Sequence, residues 1–126
     1  MAADDRQRVI AALRSTVEAT CIRLAVNTHA ELVERTPRDT GWAKANWIPS
    51  LTAPVATLAG SPEGVSTADS EAGLAAVLAF KLESGAIFVA NNVPYIRRLD
   101  AGSSTQAPAG FVRQAIDKAL ADEAAP

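Results

Sequence analysis

Hydrophobic positions recur at spacings of three and four along the first third of the chain. Val9, Leu13, Val17, Cys21, Leu24, Thr28 and Leu32 fall on one stripe of DDRQRVIAALRSTVEATCIRLAVNTHAELVER, the period of an amphipathic helix. Asp4 and Asp5 suit the positive end of its dipole, and Pro37 restricts Thr36 and ends the helix nearby. A helix of roughly 30 residues spans about 45 Å, more than so small a domain can cover. Part of the stripe is therefore expected to face another chain.

Beyond the turn TPRDTG the pattern changes. GWAKANWIPSLTAPVATLA reads as extended: Ala43, Ala45 and Trp47 share one face, and Trp42, Lys44 and Asn46 the other. Pro49 and Pro54 cannot donate to a ladder, which makes this an edge, a bend or two short strands. GSPEGVST (60–67) is the most loop-like segment. DSEAGLAAVLAFKLES reads as a helix capped by Asp69 or Ser70, and AIFVANN as a central strand apolar on both faces. PYIRRLDAG predicts a helical turn started by Pro94 and stopped by Gly102. AGFVRQAIDKALADEA predicts a final helix with Phe111, Val112, Ile116 and Leu120 on its apolar side. The sum is one α+β domain over 1–126: a long N-terminal helix, a small antiparallel or mixed β-sheet, a middle helix and a C-terminal amphipathic helix.

Composition modifies this picture in two ways. Hydrophobic residues make up 48% of the chain, but alanine supplies much of that and aromatics only 5%. The core is thin per residue, so association with other subunits is expected to supply some stability. The net charge of −2 argues against a dedicated nucleic-acid reader, which would carry a basic patch. The single cysteine, Cys21, cannot form an intramolecular disulfide. With no apolar run of 18 residues and an acidic start, the chain is expected to be soluble, made in a cytoplasm and without a membrane partner.

Candidate chemistry is sparse. YIRRLDAGSSTQAPAGF (95–111) could cradle a phosphate, present a nucleophile, or turn the chain and dock it. A phosphate loop needs G-x-x-x-x-G-K-[ST], whereas Gly102 and Gly110 are eight apart with no lysine between them. A serine hydrolase would have to combine Ser103 or Ser104 with His29 and Asp100, and no G-x-S-x-G elbow is present. The bland reading of His29 is a helix-face histidine. Cys21 and His29 are too few ligands for zinc, and Cys21 reads as a small buried hydrophobe. The acids do not gather: Asp4, Asp5, Asp122 and Glu123 read as solvated helix ends, and Asp39 as a turn residue. No metal and no cofactor is expected, and the chain does not read as an enzyme. Arg97 and Arg98 read as a solvated face or an intersubunit ion pair, with contact to a nucleic-acid backbone the weaker choice. Trp47 is assigned to the core and Trp42 to an interface.

IFVANNVPYIRRLDAGSSTQAPAGFVRQAI resembles a segment of the tail-completion and head–tail connector (neck) proteins of tailed phages, the minor tail protein Z-like family. There a strand ends in asparagines before a proline–tyrosine pair, here Asn91, Asn92, Pro94 and Tyr95. An acidic residue and glycine follow, here Asp100 and Gly102, and then a run matched by Ser104, Gln106, Ala107, Pro108 and Gly110. TPRDTGWAKANW is similar to a second family element, matched by Asp39, Thr40, Gly41 and Trp47; only about 50–90 matches poorly. The family more often carries glutamate at Asp100, an aromatic at Ala101 and lysine at Thr105.

The resemblance implies a virion structural protein forming a ring, often sixfold, in the neck between the head and the tail tube. Implied partners are further copies of itself, a portal-side or head-completion connector, and a tail terminator or tail tube protein. Phage DNA would pass through the lumen without sequence-specific binding. Trp42, Tyr95, Arg97, Arg98 and Asp100 are the expected interface residues. Gly102 would stop a helical turn, Ser103, Ser104 and Thr105 satisfy local backbone groups, Gln106 bridge backbone groups across the loop, and Pro108 fix the start of the final helix. A tail terminator is the alternative, and a small serine hydrolase a remote one.

Overall fold

The computed structural model describes residues 3–125. Its elements are α1 (Ala3–Arg35), α2 (Trp42–Ala45), β1 (Ile48–Ser50), α3 (Ala68–Val77), a 3-10 turn (Leu82–Ser84), β2 (Phe88–Ala90), α4 (Ile96–Asp100) and α5 (Phe111–Ala124). The α+β class and the long first helix agree with the sequence pattern. α1 has 33 residues, about 50 Å of helix.

The C-terminal half of α1 carries the domain. Leu32 packs with Trp47, Ala107, Phe111 and Ala115 in the main cluster. α5 runs antiparallel to α1, because Phe111 meets Leu32 at one end while Arg23 pairs with Glu123 at 2.7 Å at the other. Residues 3–17 are all exposed. Of the α1 stripe only Leu32 is fully buried, and Val9, Leu13 and Val17 stand in solvent, Leu13 at 60%. Cys21 is half-buried rather than buried; with Leu24, Thr28, Phe80 and Ile87 it lines a shallow groove.

The sheet has two strands. β1 and β2 pair antiparallel in the register Ile48↔Ala90, Pro49↔Val89 and Ser50↔Phe88. β2 is therefore not central, and all three of its residues are half-buried. α3 packs on β1 at Gly73, where a Cβ would overlap the Pro49 carbonyl oxygen and ring. This contact explains a helix-weakening glycine in the middle of a helix.

Other sequence expectations are corrected. Trp42–Ala45 is a helical turn, not strand, because Ala45 N–H donates to Gly41 O and Asn46 Nδ2 donates to Trp42 O, closing the backbone locally. The two tryptophans consequently do not lie on opposite faces of one strand. α3 ends at Val77 instead of running to Ser84: Val77 and Phe80 are both buried, and Glu18 of α1 accepts from the Leu82 N–H at 2.8 Å. Its N-cap is Thr67, and Ser70 is turned into the core. On α5 the buried seam is Phe111, Ala115 and Ala119, all at 0%, while Ile116 and Leu120 are exposed. Small alanines let α5 approach α1 closely, so side-chain size picks the wrong face. α5 begins at Phe111 with Gly110 as N-cap in the left-handed region, so Pro108 precedes the helix without opening its first turn.

Candidate functional site

The loop after α1 and the segment after α4 are 60 or more residues apart in sequence, yet they meet. Gln106 Oε1 accepts from the Arg38 N–H at 2.7 Å, and Gln106 Nε2 donates to the Arg38 carbonyl at 2.8 Å. One side-chain amide thus reads both backbone groups of one residue. The bridge runs between two loops and not across the 102–110 loop itself. Around it opens a cleft of about 480 Å³, to which TPRDTG contributes Arg38, Asp39, Thr40 and Gly41, α4 and the residue before it Arg98 and Tyr95, and the segment after α4 Ser104 and Gln106.

Each loop is fixed by its own chemistry. α1 ends at Arg35, and Lys44 Nζ donates to the carbonyls of Val33 and Glu34, at 2.7 and 3.1 Å. These terminal carbonyls have no helical partner, so the ammonium satisfies them and complements the dipole. Burial, then the nearby Arg38, lowers the Lys44 pKa, and Glu34 opposes this. The turn is held by Thr40, whose Oγ1 accepts from the Trp42 N–H at 3.2 Å, and by Gln106. Asp39, expected to hold it, is exposed.

Trp42 is buried in its own chain, which corrects its assignment to an interface. Its Nε1 donates to Ala59 O at 3.1 Å, and its ring meets Tyr95 at 6.1 Å between centroids, tilted 56°. Trp47, assigned to the core, is there, donating from Nε1 to Thr36 Oγ1 at 2.7 Å. Asn46, which the sequence reading missed, is 1% exposed and makes three hydrogen bonds. It donates to Trp42 O and Ala59 O and accepts from the Ala59 N–H. Asn91 donates to Ala43 O and Asn92 to Val55 O, tying the end of β2 to α2 and to the 51–59 segment. Pro94 is exposed and leads into α4.

Asp100 is also redirected. Its carbonyl accepts from the Gly110 N–H at 2.7 Å, and its Oδ1 from the Val112 N–H at 3.0 Å. A carboxylate from α4 therefore caps the N-terminus of α5, where unpaired N–H groups and the dipole favour it. Gly102, at φ +98°, ends α4 in the left-handed region as expected. Ser104 Oγ accepts from the Gln106 N–H at 3.1 Å. Arg97 and Arg98 are exposed and diverge: Arg98 lines the large cleft, and Arg97 a smaller depression with Trp47, Asp100 and Val112.

His29 lies on a face of α1, as expected, and that face is turned inward. It is buried, with Nε2 at 2.9 Å from Trp47 O and 2.8 Å from Ser70 Oγ, and Ser70 Oγ itself donates to Trp47 O at 3.0 Å. A carbonyl only accepts, so the ring proton sits on Nε2. Burial lowers the His29 pKa, and the Trp47 carbonyl partly opposes this. The structure does not bring His29 to Ser103 or Ser104, which line the cleft beside Gln106 without it. Among the described residues no group of three or more potential metal ligands occurs, and no helix is long and apolar enough to cross a membrane.

Comparison with family models, with curated proteins and with solved structures finds no match to this chain.

Proposed function

We propose that the chain is a structural protein of a tailed-phage neck, assembling as a ring that joins head to tail tube and lets DNA pass. The observation that carries this reading is the unpartnered apolar face of α1. Val9, Leu13 and Val17 recur every four residues on about 22 Å of helix whose residues 3–17 are all exposed. A helix end of this length is marginal alone in water, so its apolar stripe argues for a neighbouring chain. The resemblance supplies the class of assembly, and the docking of its two motif segments through Gln106 and Arg38 is in keeping with it. A near-neutral to acidic chain suits a DNA conduit, because a strongly basic lumen would hold phosphates.

The test is mass in solution by light scattering across a concentration series. A discrete species of about six or twelve subunits, within the usual range of closed cyclic symmetry, supports the ring. A monomer at every concentration removes it. A tail terminator would share the ring, and the proteins that co-purify on its two faces would separate the alternatives.

A further inference from the structure

A second hollow, of about 420 Å³, adjoins the cleft beside Gln106, and the two share Arg38, Thr40 and Gly41. Its apolar wall is Val33 near the end of α1, Ala45 of α2, Val65 of the 60–67 loop and Leu74 of α3. Most polar groups at its border are already engaged. Lys44 Nζ donates to the Val33 and Glu34 carbonyls, Glu71 Oε1 accepts from the Thr67 hydroxyl at 3.1 Å, and Thr40 Oγ1 accepts from the Trp42 N–H. Arg38 is exposed. A volume in the range of about 300–1,000 Å³ with an aliphatic wall suits a small molecule, which a few placed polar groups then orient.

His29 lines this hollow and supplies such a group. The residue is 93% buried, by its 7% exposure. Its Nε2 proton is shared by Trp47 O and Ser70 Oγ, which leaves Nδ1 of the neutral ring as an acceptor. Burial lowers the His29 pKa, so the ring is neutral at pH 7. Among the described residues no group donates to Nδ1. Nor does any side-chain nitrogen or oxygen sealed from solvent among them lack a hydrogen-bond partner. Nδ1 therefore reaches accessible space, and the hollow is the space that His29 borders.

We infer that this hollow binds a neutral, largely apolar small molecule bearing a hydroxyl, which donates to His29 Nδ1 while the hydrocarbon part lies on Val33, Ala45, Val65 and Leu74. The lone acceptor selects a donor, and a carboxylate has none. An ammonium would donate, but it would stand near Lys44 and Arg38 and be repelled by them. A hydroxyl also accepts, and Lys44 spends two of its three N–H donors on Val33 and Glu34. The site is independent of ring assembly.

The test titrates the full chain with para-propylphenol, para-propylanisole and para-propylbenzoate, followed by NMR on isotope-labelled protein. His29 is the only histidine, so a single ring Nδ1 resonance reports. The phenol should move that resonance together with the methyl signals of Val33, Val65 and Leu74. It should bind about fivefold or more tighter than the anisole, the net worth of one hydrogen bond, and tighter than the benzoate. Val65→Trp, at an exposed loop residue, should fill the hollow and abolish the Nδ1 shift while leaving the circular dichroism unchanged. Equal affinity for phenol and anisole, or a phenol that moves neither Nδ1 nor these methyls, overturns the site. Benzoate binding tighter than phenol, and lost in Arg38→Ala, would assign the hollow to an anion at Arg38, and the hydroxyl reading would be wrong.

Discussion

Gln106 holds both backbone groups of Arg38 through a single amide, joining the loop after α1 to the loop before α5. No other natural side chain of the same length offers a donor and an acceptor in that fork. Gln106→Ala should cost about 1–2 kcal/mol, discounted from two full hydrogen bonds because the residue is exposed. Gln106→Glu retains the acceptor but sets a carboxylate oxygen against the Arg38 carbonyl, and should be no better than alanine. Urea unfolding of the three proteins decides this; equal midpoints would show that the bridge contributes nothing.

Asp100 acts on α5 from another helix. Asp100→Ala leaves the Val112 N–H without its acceptor and should cost about 0.5–2 kcal/mol. Asp100→Asn keeps an oxygen at the same place and should recover most of the loss. The order Asp, Asn, Ala in thermal midpoint is the expected result, and an Asn variant as unstable as Ala would contradict the capping role.

Stability should decline in mild acid because of His29. The unfolded chain takes up a proton near pH 6.5, while burial holds the folded pKa lower. The unfolded state then binds more protons as pH falls. Stability is full above about 6.5 and is lost below it, by at most about 1.4 kcal/mol per pH unit, until the folded pKa is reached. His29 is the only histidine, so His29→Gln, which can still donate to Trp47 O, should flatten the profile between about pH 7 and 5.5. A slope that survives this substitution would have to come from carboxylates.

Gly73→Ala ought to stabilise a helix interior, yet here it should destabilise. The added methyl meets the backbone of Pro49, which cannot yield as a flexible side chain would. Overpacking of this kind costs about 1–3 kcal/mol against a propensity gain of about 1. A chemical denaturation curve shifted to higher midpoint would mean that β1 moves aside freely.

Amide exchange should divide α1 into two regimes. Residues 3–17 are all exposed and touch the rest of the fold through the exposed ion pair of Arg14 with Glu83; they should exchange with little protection in dilute protein, whereas the stretch around Leu32 should approach global stability. Under conditions of association the first regime should slow. Uniform protection along the helix in dilute solution would refute this division.

How much of this was legible in the sequence follows from where the causes lie. α1 could be read with its end, because a stripe at three and four stopped by Pro37 is a local signal. The turn at Gly102 was equally local. The helical turn at Trp42–Ala45 was hidden, since its alternation of large and small residues mimics a strand and its closure depends on Asn46, whose other bonds go to Ala59. The seam of α5 was hidden because alanines, not Ile116 and Leu120, face α1. Of the candidate site, the motif residues could be listed but not their division of labour. Asp100 and Gln106 turn inward to other loops, and Trp42 is covered by its own chain. Lys44 and Asn46 carried no signal, being a lone lysine and a lone asparagine whose partners are main-chain groups.

The separation of Trp42 from Trp47 has an optical consequence. Trp47 donates to Thr36 at the end of α1 in the main cluster, whereas Trp42 tilts against Tyr95 in the wall of the cleft. The chain thus carries two fluorophores, one for the body and one for the cleft. In a Trp47→Phe protein the remaining emission reports whatever enters beside Arg98, and in a Trp42→Phe protein it reports unfolding alone.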